Sequence, residues 1–380
     1  MKKYLSLIAV LVLLLSIAAG CSSNNDSSTS SNDSSTSNTE SDRNENAKDN
    51  YTSILLDDEI VVNGDGAKIS NGGVTITTAG TYTINGALED GLIEVDAPNG
   101  TVNLILDGVT ITNSNGPAIL FKDVSEAMVT LEADSENVLS DGGDSDYDGA
   151  LYSTSTMTIK GEGNLTVKGN NEEGIASEMH LNIEGGNIWV SAADDGLNAN
   201  NDNVSVITIN GGYLYVDGGG DGIDSNGSIE INGGTVITMS ALTDANGGLD
   251  ADGDVTINGG KVIATGARLS LPSKNSEQKS VFVNFGLTQA ANTLVSIQND
   301  SNDLLTFAPA KEYQSLLYSS SILEENISYD VYIGGSAEGE GVDGLYINAV
   351  VTPDSLIDTV TTDSLNNANQ GGRPMDKPNN

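Results

Sequence analysis

The chain has 380 residues, with 54 acidic against 15 basic side chains and a formal net charge of −39. That balance excludes nucleic-acid binding through a basic patch, because neutralising phosphates takes clustered Lys and Arg, and it favours cations as partners. Only 4% of residues are aromatic, glycine numbers 44, and Asn, Asp, Ser and Thr abound, a composition for short strands and tight turns rather than helices.

The chain opens on Lys2-Lys3, an apolar stretch from Leu5 to Ile17, and then Ala18-Ala19-Gly20-Cys21. A short apolar run followed at once by polar sequence is the pattern of an export signal rather than a spanning helix. Its small-small-Cys ending resembles a bacterial lipobox, although Ala18 stands where Leu is commoner. The resemblance implies that Cys21 is lipidated and holds the mature chain on the extracellular face of the cell membrane. Cys21 is the only cysteine, so an internal disulfide is excluded. Residues 22–50 carry almost nothing apolar and read as a disordered tether, with a reach of about 30 Å. Folded sequence is predicted from Tyr51, where Ile54-Leu55-Leu56 is expected to cover an open end of the fold.

Between Gly149 and Gly266 one motif recurs: an acidic-Gly-aliphatic turn, a polar run, aliphatic-x-aliphatic, Gly-Gly and another alternating run. One copy reads Asp221-Gly222-Ile223-Asp224-Ser225-Asn226, then Ile229-Glu230-Ile231-Asn232-Gly233-Gly234-Thr235-Val236-Ile237-Thr238. The turn glycines Gly149, Gly174, Gly196, Gly222 and Gly248 return every 22 to 26 residues, and a fixed period of that size means stacked supersecondary units. Weaker copies lie upstream at Asp90-Gly91-Leu92 and Gly116-Pro117-Ala118, and the loop Asp141–Asp148 is an insertion. Alternation at period two points one face of each strand inward. The inward positions after Gly-Gly are Leu165/Val167, Ile188/Val190, Leu214/Val216, Val236/Thr238 and Val262/Ala264. Three short strands per period make one circuit of a parallel β-helix, with equivalent residues stacked about 4.8 Å apart. The predicted fold is all-β, with about eight coils over residues 51–267. A linker follows, then a small C-terminal β capping module over 281–362 and a disordered tail over 363–380.

Aligning the turns predicts columns of acidic side chains. Asp148, Glu173, Asp195 and Asp221 precede the turn glycine; Asn198, Asp224 and Asp250 lie two residues after it, and Glu178, Asn200, Asn226 and Asp252 four after. Carboxylates one rung apart repel by about 1 kcal/mol in bulk water and by several kcal/mol at a surface-like dielectric. A cation between them removes that cost, and Ca²⁺ fits irregular sets of carboxylate and amide oxygens. The competing reading takes Asp and Asn as turn residues held by local backbone hydrogen bonds. In the insertion loop, Asp144-x-Asp146-x-Asp148-Gly149 matches the first half of a helix-flanked calcium loop. Ser155 at the twelfth position and the lack of helices reject the complete motif, leaving a calcium loop finished by ligands from a neighbouring coil. His180 is the only histidine, which disfavours transition metals.

A second outward column reads Thr166, Trp189, Tyr215, Ile237 and Ile263, with Tyr213 beside it. Trp189, Tyr213 and Tyr215 would offer a flat platform for sugar rings. Equally, the strip would be covered by the module that starts at Val281, since exposed apolar patches of this kind mark interfaces.

The ordered set Ala79-Gly80-Thr81-Tyr82, Leu106-Asp107-Gly108-Val109-Thr110-Ile111-Thr112-Asn113-Ser114 and Leu139-Ser140-Asp141-Gly142-Gly143, with the serial Asp-Gly turns, resembles a known family. These are secreted bacterial carbohydrate-binding lipoproteins built on a right-handed parallel β-helix. The resemblance covers roughly residues 55–362 and implies calcium-supported binding of a plant cell-wall polysaccharide, cellulose or pectin-like. The same architecture hosts pectate lyases and polygalacturonases, so fold alone does not decide. Lyases of this kind use an Arg beside calcium, and here Arg43, Arg268 and Arg373 all lie off the regular coils. Asp194-Asp195-Gly196 matches the hydrolase Asp pair, but His180 is followed by Leu181 and no Arg-x-Lys occurs. A non-catalytic binder is therefore expected, with a lyase or hydrolase, or a structural adhesin or spacer, as alternatives.

Overall fold

The computed structural model describes residues 51–362 except 71, 144, 244, 245 and 301. Cys21, the export signal, the tether, the tail and Asp144 lie outside the described residues. The described chain is built of strands, with no α-helix among the described residues.

Each coil lays its strands parallel on those of the next. Strand Leu197–Ala199 pairs with Ile223–Ser225, which pairs with Leu249–Ala251, within a nine-stranded sheet that forms one face of a solenoid of about eight turns. On a second face the inward columns stack in register. Leu165, Ile188, Leu214, Val236 and Val262 form one, and Val167, Val190, Val216, Thr238 and Ala264 the other. All are buried. Thr238 is tolerated in an apolar column because its hydroxyl donates to the Gly248 carbonyl at 2.8 Å.

Glycine is required where coils approach most closely. A Cβ at Gly222 would collide with Thr238 Oγ1 and with the Gly248 carbonyl, which accepts the Ile223 N–H from the previous coil at 3.1 Å. The second glycine of each Gly-Gly pair turns the corner with positive φ, 84° at Gly212 and 81° at Gly234. The Asn before that pair forms a ladder. Asn258 Nδ2 donates to Asn232 Oδ1 at 2.8 Å, Asn232 to Asn210 at 2.9 Å, and Asn210 to Glu184 at 2.9 Å.

Upstream, a buried polar residue replaces an aliphatic one. Asn137 pairs with Leu165 in the ladder, and its Oδ1 accepts the N–H groups of Gly108 and Val109 at 3.1 and 2.9 Å. Its Nδ2 donates to Ser135 Oγ and to the Asn164 carbonyl. The amide is fully satisfied and serves the irregular backbone where the pairing of Gly80–Leu88 with Thr101–Thr112 shifts register.

The ends differ from simple lids. Tyr51–Leu56 forms a rung parallel to Gly80–Leu88, with Ile54 and Leu56 in the core and Leu55 exposed. The expected apolar cover is therefore an alternating strand. At the other end Tyr313–Ser320 runs antiparallel along Lys261–Gly266, and Ser280–Gln289 pairs beyond it. This continues the sheet and covers an edge that would otherwise template aggregation. A six-stranded antiparallel sheet completes the C-terminal part. A second core lies there, joining Ile237, Met239 and Ile263 of the solenoid to Val281, Phe307 and Tyr318.

Candidate functional site

The acidic columns gather into two groups at the turns and outer face of the nine-stranded sheet. Asp148, Glu172 and Glu173 each place a carboxylate oxygen within 4.8 Å of the others, and so do Asp221, Asp224 and Asp250. Strand pairing explains the second group, since Asn198, Asp224 and Asp250 lie on three successive rungs. The first group corrects the expected alignment. Gly149 pairs with Glu173, so Ala150 takes the turn-glycine place and Asp148 falls one residue earlier. The insertion loop shifts the register, yet it still carries Asp148 to Glu173, whose N–H donates to the Asp148 carbonyl at 2.8 Å.

In the first group two carboxylate oxygens lack a hydrogen-bond partner among the described residues. Glu173 is only 7% exposed, and its Oε2, like Asp148 Oδ1, has no hydrogen-bond partner among the described residues. Burial, then the charge of Asp148, pushes Glu173 up to about 8. Burial likewise raises Asp148, helped by Glu172 and Glu178. Between the groups, burial pushes Asp195 up to about 8, opposed by the N–H of Asp221 and reinforced by Asp224, Asp221 and Asp194. Asn198 is 6% exposed, and its Oδ1 also has no hydrogen-bond partner among the described residues. Carboxylates gathered this closely suit a hard divalent cation, which takes six to eight oxygen ligands if Ca²⁺.

Other oxygens of the same columns are structural. Asp195 Oδ1 accepts the Asp221 N–H at 2.6 Å, and Asp221 Oδ1 accepts the Gly247 N–H at 2.5 Å. Asp90 does the same for Ser114, and Asp141 for Asn170. At these four turns one carboxylate oxygen thus ties the turn to the next coil, as the competing reading of the acidic turns expects. Asp250 Oδ1 accepts the Ser270 hydroxyl at 2.8 Å. Asp146 and Asp252 are exposed and belong to neither group. His180 spends Nδ1 on the Val206 N–H.

Sequence reasoning passed over Glu172 as a site residue and left Glu173 out of the metal set, although Glu172-Glu173-Gly174 repeats the doubled acid of Asp194-Asp195-Gly196. It also missed a tyrosine pair. Tyr147, on the insertion loop, lies 5.2 Å from the ring of Tyr152 at 59°, above Leu120 and Ala176. The Tyr152 hydroxyl donates to Glu178, and burial with that carboxylate raises its pKa.

Trp189, Tyr213 and Tyr215 are set against the C-terminal part. Trp189 Nε1 and Tyr213 OH both donate to Asp343, at 2.8 and 2.6 Å, and Tyr213 and Tyr215 pack on the second core. Burial, then Asp217 and Asp343, pushes the Tyr215 hydroxyl up to about 12.

A family model for carbohydrate-binding domain-containing proteins matches residues 70–306. The chain belongs to that family. A carbohydrate-binding domain-containing protein of Acetivibrio thermocellus is 39% identical over 139 residues, 34% of this chain and 49% of the relative. The chain therefore spans about half the length of the relative it matches. A solved polysaccharide lyase-like protein from C. thermocellum, studied as a gadolinium derivative, is 31% identical. That match covers 59% of this chain and 98% of the other, with a TM-score of 0.48.

Proposed function

We propose that the chain is a non-catalytic binder of plant cell-wall polysaccharide, cellulose or pectin-like. In this reading Ca²⁺ sits on the groups Asp148/Glu172/Glu173 and Asp221/Asp224/Asp250, and lipidated Cys21 anchors the protein on the extracellular face of the membrane. The supporting observation is the unpartnered, buried oxygen of Glu173 facing two further carboxylates. Without metal, burial keeps a proton on Glu173 at neutral pH, and a divalent cation on the group would displace it. A bound cation also lets an acidic surface meet carboxylate-bearing glycans, by bridging the two sets of oxygens. The test is affinity electrophoresis in polygalacturonate gels and pull-down on insoluble cellulose, with Ca²⁺ and with EDTA. Retardation that EDTA and Glu173→Gln both abolish supports the reading; binding indifferent to both contradicts it. Incorporation of labelled palmitate, lost in Cys21→Ser, tests the anchor.

A second reading, a polysaccharide lyase, has one observation in its favour. Arg268 pairs with Gly247 on the rung beyond Asp221, at the end of the acidic column. Release of unsaturated product absorbing in the ultraviolet, lost in Arg268→Ala, would establish it.

A further inference from the structure

A short strap of the C-terminal part lies over the aromatic strip. Strands Ser328–Glu338 and Val350–Thr361 form an antiparallel pair whose last partners are Glu338 and Val350. Residues 339–349 leave that pair and fold into a small hairpin, Gly341–Val342 with Leu345–Tyr346, which meets Asn302–Phe307 where Leu345 pairs with Phe307. The hairpin turns on Asp343-Gly344, with φ of 50° and 80°, as a two-residue turn of this hand requires. The turn thereby sets the Asp343 carboxylate against the solenoid, and one oxygen, Oδ2, accepts both the Trp189 Nε1–H and the Tyr213 hydroxyl.

The strap has little apolar hold of its own. Leu345 is its one buried side chain, while Val342 and Ile347 are 59% and 61% exposed. The Ala308 N–H ties it down by donating to the Gly344 carbonyl at 2.8 Å. Gly339 and Asn348, with φ of 152° and 57°, stand at its two ends as the bends about which it can swing. A segment with so few buried apolar contacts opens at the low end of the free-energy range, so the strap can lift while the strands below it stay paired. Lifting would bare Trp189 and Tyr213, whose rings lie 5.7 Å apart at 46°, and Tyr215, which pairs with Trp189 on the next rung. Aromatic bodies with polar tips suit a ligand that is apolar on one face and wet at its rim, as a sugar ring is. The charges of Asp217 and Asp343 beside Tyr215 favour a neutral sugar over an acidic one.

We infer that the strap 339–349 is autoinhibitory. Closed, its Asp343 occupies the two donors that a ligand on Trp189 and Tyr213 would use; open, the strip binds a neutral glycan. The inference rests on the chain being a glycan binder, but not on calcium.

The test uses the full chain in EDTA, cellohexaose as the neutral glycan, and two variants that free the strap by different routes. Asp343→Gly removes the carboxylate while keeping a residue suited to φ 50°, and Leu345→Ala removes the buried side chain of the strap. Each is expected to bind cellohexaose about tenfold more tightly than wild type, because the closed state no longer competes, and to raise acrylamide quenching of Trp189, the only tryptophan. Asp343→Asn keeps an acceptor oxygen and should fall between. In wild type the Ala308 amide should exchange hydrogen about a hundredfold faster than the amides of Val295–Asn299, in the middle of the same sheet. Asp343→Gly should speed Ala308 by about a further tenfold. Cellohexaose affinity unchanged or weaker in both variants would overturn the inference, as would Ala308 exchange no faster than that of the sheet centre. Calcium-dependent retardation in polygalacturonate gels should be the same in wild type and both variants. If it persists while cellohexaose affinity gains nothing, the strap inference alone has failed; if it is absent as well, the binder reading has failed with it.

Discussion

Replacing Glu173 by Gln should stabilise the metal-free chain above acidic pH and remove much of its gain from calcium. The wild-type carboxyl is buried, lies within 4.8 Å of two others, and titrates near 8 against 4.5 for the free side chain. Below about pH 4.5 the folded and unfolded chains both hold the proton, and the contribution to stability is fully present. Between that value and about 8 the unfolded chain releases its proton while the folded chain retains it. Stability therefore falls as pH rises, by up to about 1.4 kcal/mol per pH unit for one group. A neutral amide of the same shape removes this loss. In EDTA at pH 8, Glu173→Gln should be more stable than wild type by on the order of a few kcal/mol, and nearly equal at pH 4.5. In calcium the gap should narrow, because a site filled at a hundred times its dissociation constant adds about 2.7 kcal/mol to the wild type and the amide holds the ion poorly. Urea denaturation at both pH values, with EDTA and with Ca²⁺, reads all four numbers. If the variant were less stable than wild type in EDTA at pH 8, or gained equally from calcium, the reasoning would be refuted.

Further outcomes follow from single contacts. Asn137→Ala strands the N–H groups of Gly108 and Val109 and the Asn164 carbonyl, and should cost about 3 kcal/mol or more in chemical denaturation. Gly222→Ala forces a Cβ against Thr238 and the Gly248 backbone, so the melting temperature should drop by several degrees, an effect of about 2 kcal/mol or more. Asp343→Ala removes the acceptor shared by Trp189 and Tyr213. It should red-shift the emission of the only tryptophan and speed proteolysis of the C-terminal part, while calcium binding stays unchanged.

The solenoid was legible in the sequence because stacking imposes one period on turns, glycines and inward residues together. The Leu165-to-Val262 column is legible from the alternation alone, and so are the Asn198–Asp224–Asp250 rungs. Three things are not. The insertion before Gly149 hides which residue takes the turn position, so sequence alone aligns Asp148 with Glu173 where the structure sets Gly149 opposite it. The carboxylate oxygens that tie turn to turn, as in Asp195 to Asp221, cannot be told from those left over, because sequence shows a residue and not its two oxygens. The surroundings of the Trp189 strip depend on the non-repeating segment after residue 280, whose Asp343 lies 154 positions away, beyond any periodic argument.

Calorimetric titration of the full chain with Ca²⁺ at pH 7, in buffers of different ionisation enthalpy, bears most directly on the proposed metal columns. Two ions are expected, one per carboxylate group, with proton release because Glu173 and Asp195 each titrate near 8. Glu173→Gln should remove one ion and Asp224→Asn the other. Absence of binding, or a stoichiometry that neither variant changes, would contradict the account.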